Sequence, residues 1–216
     1  MGTKVFYAIA ISTISCLCGA FSMWIGEKYY KKRFGKSLDK TVSLYIKSIL
    51  CMATAAALFV SYGYSLSDIA VLVIYIAGMN VISVIDKEEQ VIPNLILLIM
   101  LGIRFILYIG QIIFEPEYGL YSLKKGMAGM FLWVIIIGCF KIVCRDKLGM
   151  GDVKAFSVTG FYMGIYRCSL VLLVTLVIAV TDIIRRTIFK RMQLRDYVSF
   201  GPYMAIGSYV ALILGI

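Results

Sequence analysis

The sequence predicts an all-α protein: a polytopic membrane helix bundle of about eight transmembrane helices with its N-terminus outside. Three observations carry that expectation. Of 216 residues, 61% are hydrophobic and 16% charged, against about 45–50% apolar and 25% charged in soluble globular domains. The apolar residues fall in runs of about 17–25, each long enough to cross a bilayer as a helix, with short connections between them. The basic residues gather in alternate connections, as the positive-inside rule demands. Residues 1–216 therefore read as one integral-membrane domain, within which residues 27–40 form a short basic cytoplasmic loop. No long linker, solenoid-period repeat or low-complexity tract interrupts it. The net charge of +10 flanks apolar runs, so the expected partner is the lipid bilayer and its headgroups, with no nucleic acid.

The first span covers residues 5–25, and no small-residue cleavage site follows it, which favours a retained helix over a signal peptide. Lys28, Lys31, Lys32, Arg33, Lys36 and Lys40 come next and mark the cytoplasmic side. Residues 44–62 return outward. Ser67 and Asp68 can cap the third span, residues 69–85, which delivers Asp86 to the cytoplasmic face. Pro93 suits a first helical turn, so residues 92–113 form the fourth span. Arg104 lies near its middle, where a cation is explained by tilt or an interhelical hydrogen bond. The fifth span, residues 126–143, ends in Lys141, Arg145 and Lys147. From Asp152 to Gly164 only a short apolar piece remains, roughly 20 Å as a helix. Residues 168–184 follow, closing on Arg185, Arg186, Lys190, Arg191 and Arg195, and Phe200 opens a last span to residue 216. With Lys87, fifteen basic residues then face the cytoplasm and four face outward: Lys4, Lys124, Lys125 and Arg167. Asp182 and Arg186, four apart, suit a helix-surface pair. Trp24 and Tyr62 suit the interfacial belts.

The chain contains no histidine, which removes the commonest general base, histidine-based serine and cysteine mechanisms and the HExxH zinc site. Its six cysteines, Cys16, Cys18, Cys51, Cys139, Cys144 and Cys168, include no C-x-x-C pair and lie mostly in apolar runs. They read as small apolar fillers, and neither a metal nor an organic cofactor is expected. What remains is a pair of acids at the water-lipid boundary, where an ionisable group marks function by default. Asp86 closes one apolar run and Asp152 opens another, both on the cytoplasmic side. Two carboxylates that share a proton can hydrolyse a peptide, one as acid and one as base. Helix dipoles suggest a bias: Asp86 at a helix C-terminus holds the proton more often, and Asp152 at an N-terminus acts more often as base. Gly149 and Gly151, lacking Cβ atoms, leave room for an extended substrate strand beside Asp152.

Three separated stretches give the chain a family resemblance. They are Asp86 with Ile92-Pro93-Asn94, then Gly149-Met150-Gly151-Asp152-Val153-Lys154, then Phe200-Gly201-Pro202-Tyr203. Together they resemble the type IV prepilin peptidases, membrane aspartic proteases of the Gly-x-Gly-Asp class. The resemblance implies an eight-helix protease with Asp86 and Asp152 as its dyad, Gly149, Gly151, Pro93, Asn94, Phe200, Gly201 and Pro202 as motif positions, and prepilin or pseudopilin precursors as substrates. Short basic leader peptides would be cut at the cytoplasmic face of the plasma membrane, usually just after a glycine. Larger members insert a cytoplasmic domain with paired C-x-x-C cysteines after the first span and often methylate the new N-terminus. Here that region is only residues 27–40, so the chain looks like a short, peptidase-only branch.

Glu88 and Glu89 could receive a basic leader or simply form a solvated loop. Lys154 could fold back on Asp152 or snorkel to headgroups. Presenilin-like and signal-peptide peptidases share Gly-x-Gly-Asp, but their Tyr-Asp and Pro-Ala-Leu motifs are missing. The rival class is a transporter or channel using the aspartates as a proton or cation relay, which would distribute acids across the membrane rather than gather them at one face. A pure assembly scaffold fits the composition but leaves the paired motifs without a reason.

Overall fold

The structure, a computed structural model, describes residues 2–36, 38, 41–144, 149–189 and 198–214. The predicted basic positions Lys40, Arg145, Lys147, Lys190, Arg191 and Arg195 lie outside the described residues, as does residue 216. Every regular element among the described residues is a helix: α1 Gly2–Phe34, α2 Thr41–Ser61, α3 Leu66–Glu89, α4 Asn94–Phe114, α5 Pro116–Cys144, α6 Met150–Ile188 and α7 Gly201–Ile213. Five of these contain stretches long and apolar enough to cross a membrane, while α2 and α7 contribute shorter apolar segments. The long α6 bends at Gly164, whose φ of 74° and ψ of −169° are foreign to a helix. An L-residue would be strained there, so glycine divides α6 into two arms where the sequence predicts two apolar pieces. Among the described residues, seven helices, one of them broken, stand where the sequence predicts about eight spans.

Several predicted boundaries shift, among them the start of α5, which lies at Pro116 and not at residue 126. The first helix does not stop at residue 25 but continues to Phe34, so Lys28, Lys31, Lys32 and Arg33 ride on its last turns rather than in a loop. Lysine and arginine are good helix formers and are favoured near a helix C-terminus, and the turn comes only at Gly35, with φ 70°. The cap of α3 is Ser65, not Ser67 or Asp68: its hydroxyl accepts the Asp68 amide and donates to the Asp68 carboxylate.

Helix α3 occupies the centre, packed against α1, α2, α4, α6 and α7. Its run from Ile69 to Asp86 buries residues on every side, as expected for a helix apolar all round. A fully buried knot ties three helices together at Tyr75, whose hydroxyl lies 2.9 Å from Thr159 Oγ1 of α6 and 2.8 Å from Ser208 Oγ of α7. Thr159 already gives its proton to the Ala155 carbonyl, so it accepts from Tyr75, and Ser208 donates to Tyr75. Helices α5 and α6 meet through small residues. A Cβ on Gly129 would fall 2.4 Å from the Gly160 carbonyl oxygen, and one on Gly160 would fall 2.6 Å from that of Gly129. Such close backbone approach is how membrane helices gain contact without a hydrophobic drive.

Arg104 of α4 is only 3% exposed. Its Nη2 donates to Ser122 Oγ of α5 at 3.3 Å, the expected interhelical bond, and its guanidinium lies 3.7 Å from the Tyr108 ring centroid. Asp182 pairs with Arg186 at 2.7 Å as predicted, and also with Arg185 and the Tyr203 hydroxyl.

Candidate functional site

Asp86 sits in the last turn of α3, which runs on through Glu89 to a left-handed cap at Gln90. Its side chain is 4% exposed. Oδ2 accepts the Gly201 amide at 2.7 Å, across 115 residues of chain, with the Phe200 backbone as a second donor. Gly201 begins α7, so Asp86 rests on the N-terminus of that helix, a natural seat for an anion. A Cβ on Gly201 would lie 2.9 Å from both Cβ and Oδ2 of Asp86. Glycine is therefore required there by the close approach itself.

Asp152 stands in the first turn of α6, half-buried, and its Oδ2 accepts the Gly149 amide at 3.1 Å, capping its own helix. Asp152 feels the charge of Asp86 and that of Lys141 in the last turn of α5. Each acid thus occupies a helix N-terminus. The predicted dipole asymmetry, with only Asp152 so placed, does not hold: α7 offsets the unfavourable end of α3, and helix dipoles no longer select Asp86 as the proton holder.

The three sequence stretches converge. Gly151 packs on the buried Ile92, whose Cβ would lie 2.9 Å from an added Cβ. Glycine at 151 is thus required by the close approach of Ile92, and a Cβ on the exposed Gly149 would lie 3.1 Å from Asp152 Oδ2. Lys154 neither folds back on Asp152 nor snorkels: its Nζ donates to Asn94 Oδ1 at 3.0 Å, joining the second stretch to the first. Phe200 of the third stretch meets Phe156, two residues beyond the second, in a tilted ring contact with centroids 6.0 Å apart. Pro93 is buried as the residue before α4, and Pro202 follows Gly201 in the first turn of α7. Glu88 is exposed, while Glu89 Oε1 accepts the Tyr30 hydroxyl of α1 at 2.5 Å and so is partly occupied.

Two contributors escape a reading of the sequence. Lys141 looks there like a topological charge only. Asp182 looks like half of a helix pair, yet through the Tyr203 hydroxyl at 2.6 Å it also holds the first turn of α7, the turn that carries the donors to Asp86. Nothing in the local pattern marks either. Among the described residues no three His, Cys, Asp or Glu side chains gather as a metal-binding group.

The prepilin leader peptidase/N-methyltransferase of Escherichia coli (strain K12) is 26% identical to this chain over 131 residues, covering 58% of this chain and 55% of that relative. The chain thus spans little more than half the length of the curated relative it matches. No solved structure is matched. The model of the type IV leader peptidase family matches residues 73–184, more than half of the sequence. That stretch contains both boundary aspartates, the Ile92-Pro93-Asn94 segment and the glycines around Asp152, and by it the chain belongs to the type IV leader peptidase family.

Proposed function

We propose that the protein is a membrane-embedded aspartic endopeptidase that removes short basic leader peptides from prepilin-like precursors at the cytoplasmic face of the membrane, with Asp86 and Asp152 as its catalytic pair. The observation that carries this is the convergence of the three stretches on two carboxylates, each held by a backbone amide at a helix start. Water between the acids loses a proton to the ionised one as its oxygen attacks the scissile carbonyl carbon. The protonated partner passes its proton to the carbonyl oxygen. As the tetrahedral centre collapses, the C–N bond breaks, the departing amine takes a proton, and the pair returns to one shared proton. Fixed amide donors hold both carboxylates in place without solvent reorganisation.

Support for the cytoplasmic orientation comes from the basic end of α1, which the Tyr30–Glu89 bond ties to the end of α3 that bears Asp86. A peptidase without N-methyltransferase activity is favoured by the short connection from Gly35 to residue 40, where α1 passes directly to α2. The test is co-expression with candidate precursors, comparing wild type with Asp86→Asn and Asp152→Asn, which keep size and remove the acid. Leader cleavage should vanish in both while protein levels hold. Persistent cleavage in either variant refutes the dyad, and proton-coupled flux without cleavage assigns the aspartates to a relay.

A further inference from the structure

At the end of the bundle opposite the two aspartates, a cavity of about 160 Å³ lies between the starts of α3 and α5, the middle of α4 and the bend of α6. Its walls carry three cations, Arg104, Lys125 and Arg167, and one acid, Asp68. Arg104 is the decisive residue. Its guanidinium is permanently charged, it is 3% exposed, and its Nε and Nη1 have no hydrogen-bond partner. A buried charge with donors left open is costly unless something supplies acceptors and compensating charge. Asp68 supplies charge to the cavity but no bond to Arg104: its Oδ1 accepts the Tyr118 hydroxyl at 2.7 Å, its Oδ2 accepts Ser65 at 2.8 Å, and no ion pair among the described residues joins Arg104 to an acid. Water could fill the space, which holds about five molecules at roughly 30 Å³ each. Water would satisfy donors but bring no negative charge to the buried Arg104 guanidinium.

We propose that this cavity is an oxyanion site for a phosphate group, free or carried by the headgroup of an anionic lipid, with Arg104 and Lys125 as its principal charges. The location suits either source. The cavity reaches from mid-bundle to the helix ends, where Tyr64 and Tyr118 stand like residues of an interfacial belt.

The experiment uses the full chain. In detergent, inorganic phosphate is titrated against chloride at constant ionic strength, and thermal unfolding is followed for wild type, Arg104→Gln and Lys125→Gln. In parallel, protein from nanodiscs of phosphatidylcholine with or without phosphatidylglycerol is examined by native mass spectrometry for retained lipid. A ligand at 100 times its Kd should raise Tm by roughly 5–10 °C. A rise with phosphate that both variants lose identifies a free-ion site. Retention of phosphatidylglycerol over phosphatidylcholine that both variants lose identifies a lipid site. Because Arg104 is buried and its variant could misfold, the exposed Lys125→Gln suffices for either result. The proposal fails if chloride stabilises as well as phosphate and neither lipid is preferred, or if Lys125→Gln responds like wild type.

Discussion

Replacing Gly201 by alanine adds one methyl group to the protein, yet it should disable the site. The new Cβ would stand 2.9 Å from both Cβ and Oδ2 of Asp86, whereas ordinary contact begins near 3.4 Å. Relief requires the two groups to part by about 0.5 Å, stretching the 2.7 Å bond from the Gly201 amide to about 3.2 Å, the limit for a good N–H···O bond. Asp86 is almost fully buried and cannot swing into open water. Overpacking of this kind costs about 1–3 kcal/mol and weakening a charge-assisted bond costs about 1.5–3 kcal/mol. If half of that falls on the transition state, leader cleavage slows by about tenfold to a hundredfold. The assay is kcat/KM on a purified precursor in defined lipid, with thermal unfolding measured on the same samples. Gly138→Ala is the control, because a Cβ there meets nothing within 4 Å; it should match wild type in rate. A Gly201→Ala enzyme that cleaves within twofold of wild type would refute the idea that the start of α7 sets the position of Asp86.

The other expected outcomes concern the supports of the pair. Gly151→Val should clash with Ile92 and lower cleavage at least tenfold, and Ile92→Ala should restore part of the loss by vacating that space. Lys154→Met removes the bond to Asn94 at an exposed position, so cleavage should fall less than tenfold and stability by less than about 1 kcal/mol in urea unfolding. Tyr203→Phe frees the first turn of α7 from Asp182 and should lower kcat more than it raises KM, since the substrate contacts are not changed. Tyr75→Phe leaves the buried Ser208 hydroxyl without its acceptor while Thr159 keeps its bond to Ala155, and should lower stability by about 1–3 kcal/mol in denaturant unfolding.

Most of the helices were legible in the sequence, because a lipid-facing helix must satisfy its backbone internally and hydropathy reports that requirement directly. The break at Gly164 was legible for a similar reason: the apolar run from Asp152 is too short to cross, and a glycine stands where it stops. Hydropathy misses the extension of α1 to Phe34, since lysine and arginine sustain a helix while ending an apolar run. Both aspartates were visible as acids at the edges of apolar runs. Their surroundings were not. The donor to Asp86 lies 115 residues away, the partner of Gly151 is the side chain of Ile92, and Lys154 reaches Asn94 instead of its own helix. Each of these is a tertiary contact without a local periodicity to betray it. The dipole balance at Asp86 is tertiary too, since the start of α7 faces the end of the helix that carries it.

That arrival makes the site a property of the closed bundle. Asp152 is capped within its own helix and needs only the first turn of α6. Asp86 is different: until α7 packs against α3, its carboxylate has neither the Gly201 amide nor the shelter that buries it. Asp182 anchors α7 at its first turn and the Tyr75–Ser208 bond anchors it two turns later, so both contacts act on Asp86 from a distance. On the proposed mechanism, the acids pair only after the last helix has docked, and an unfinished chain lacks one of the two anchored carboxylates that mechanism requires.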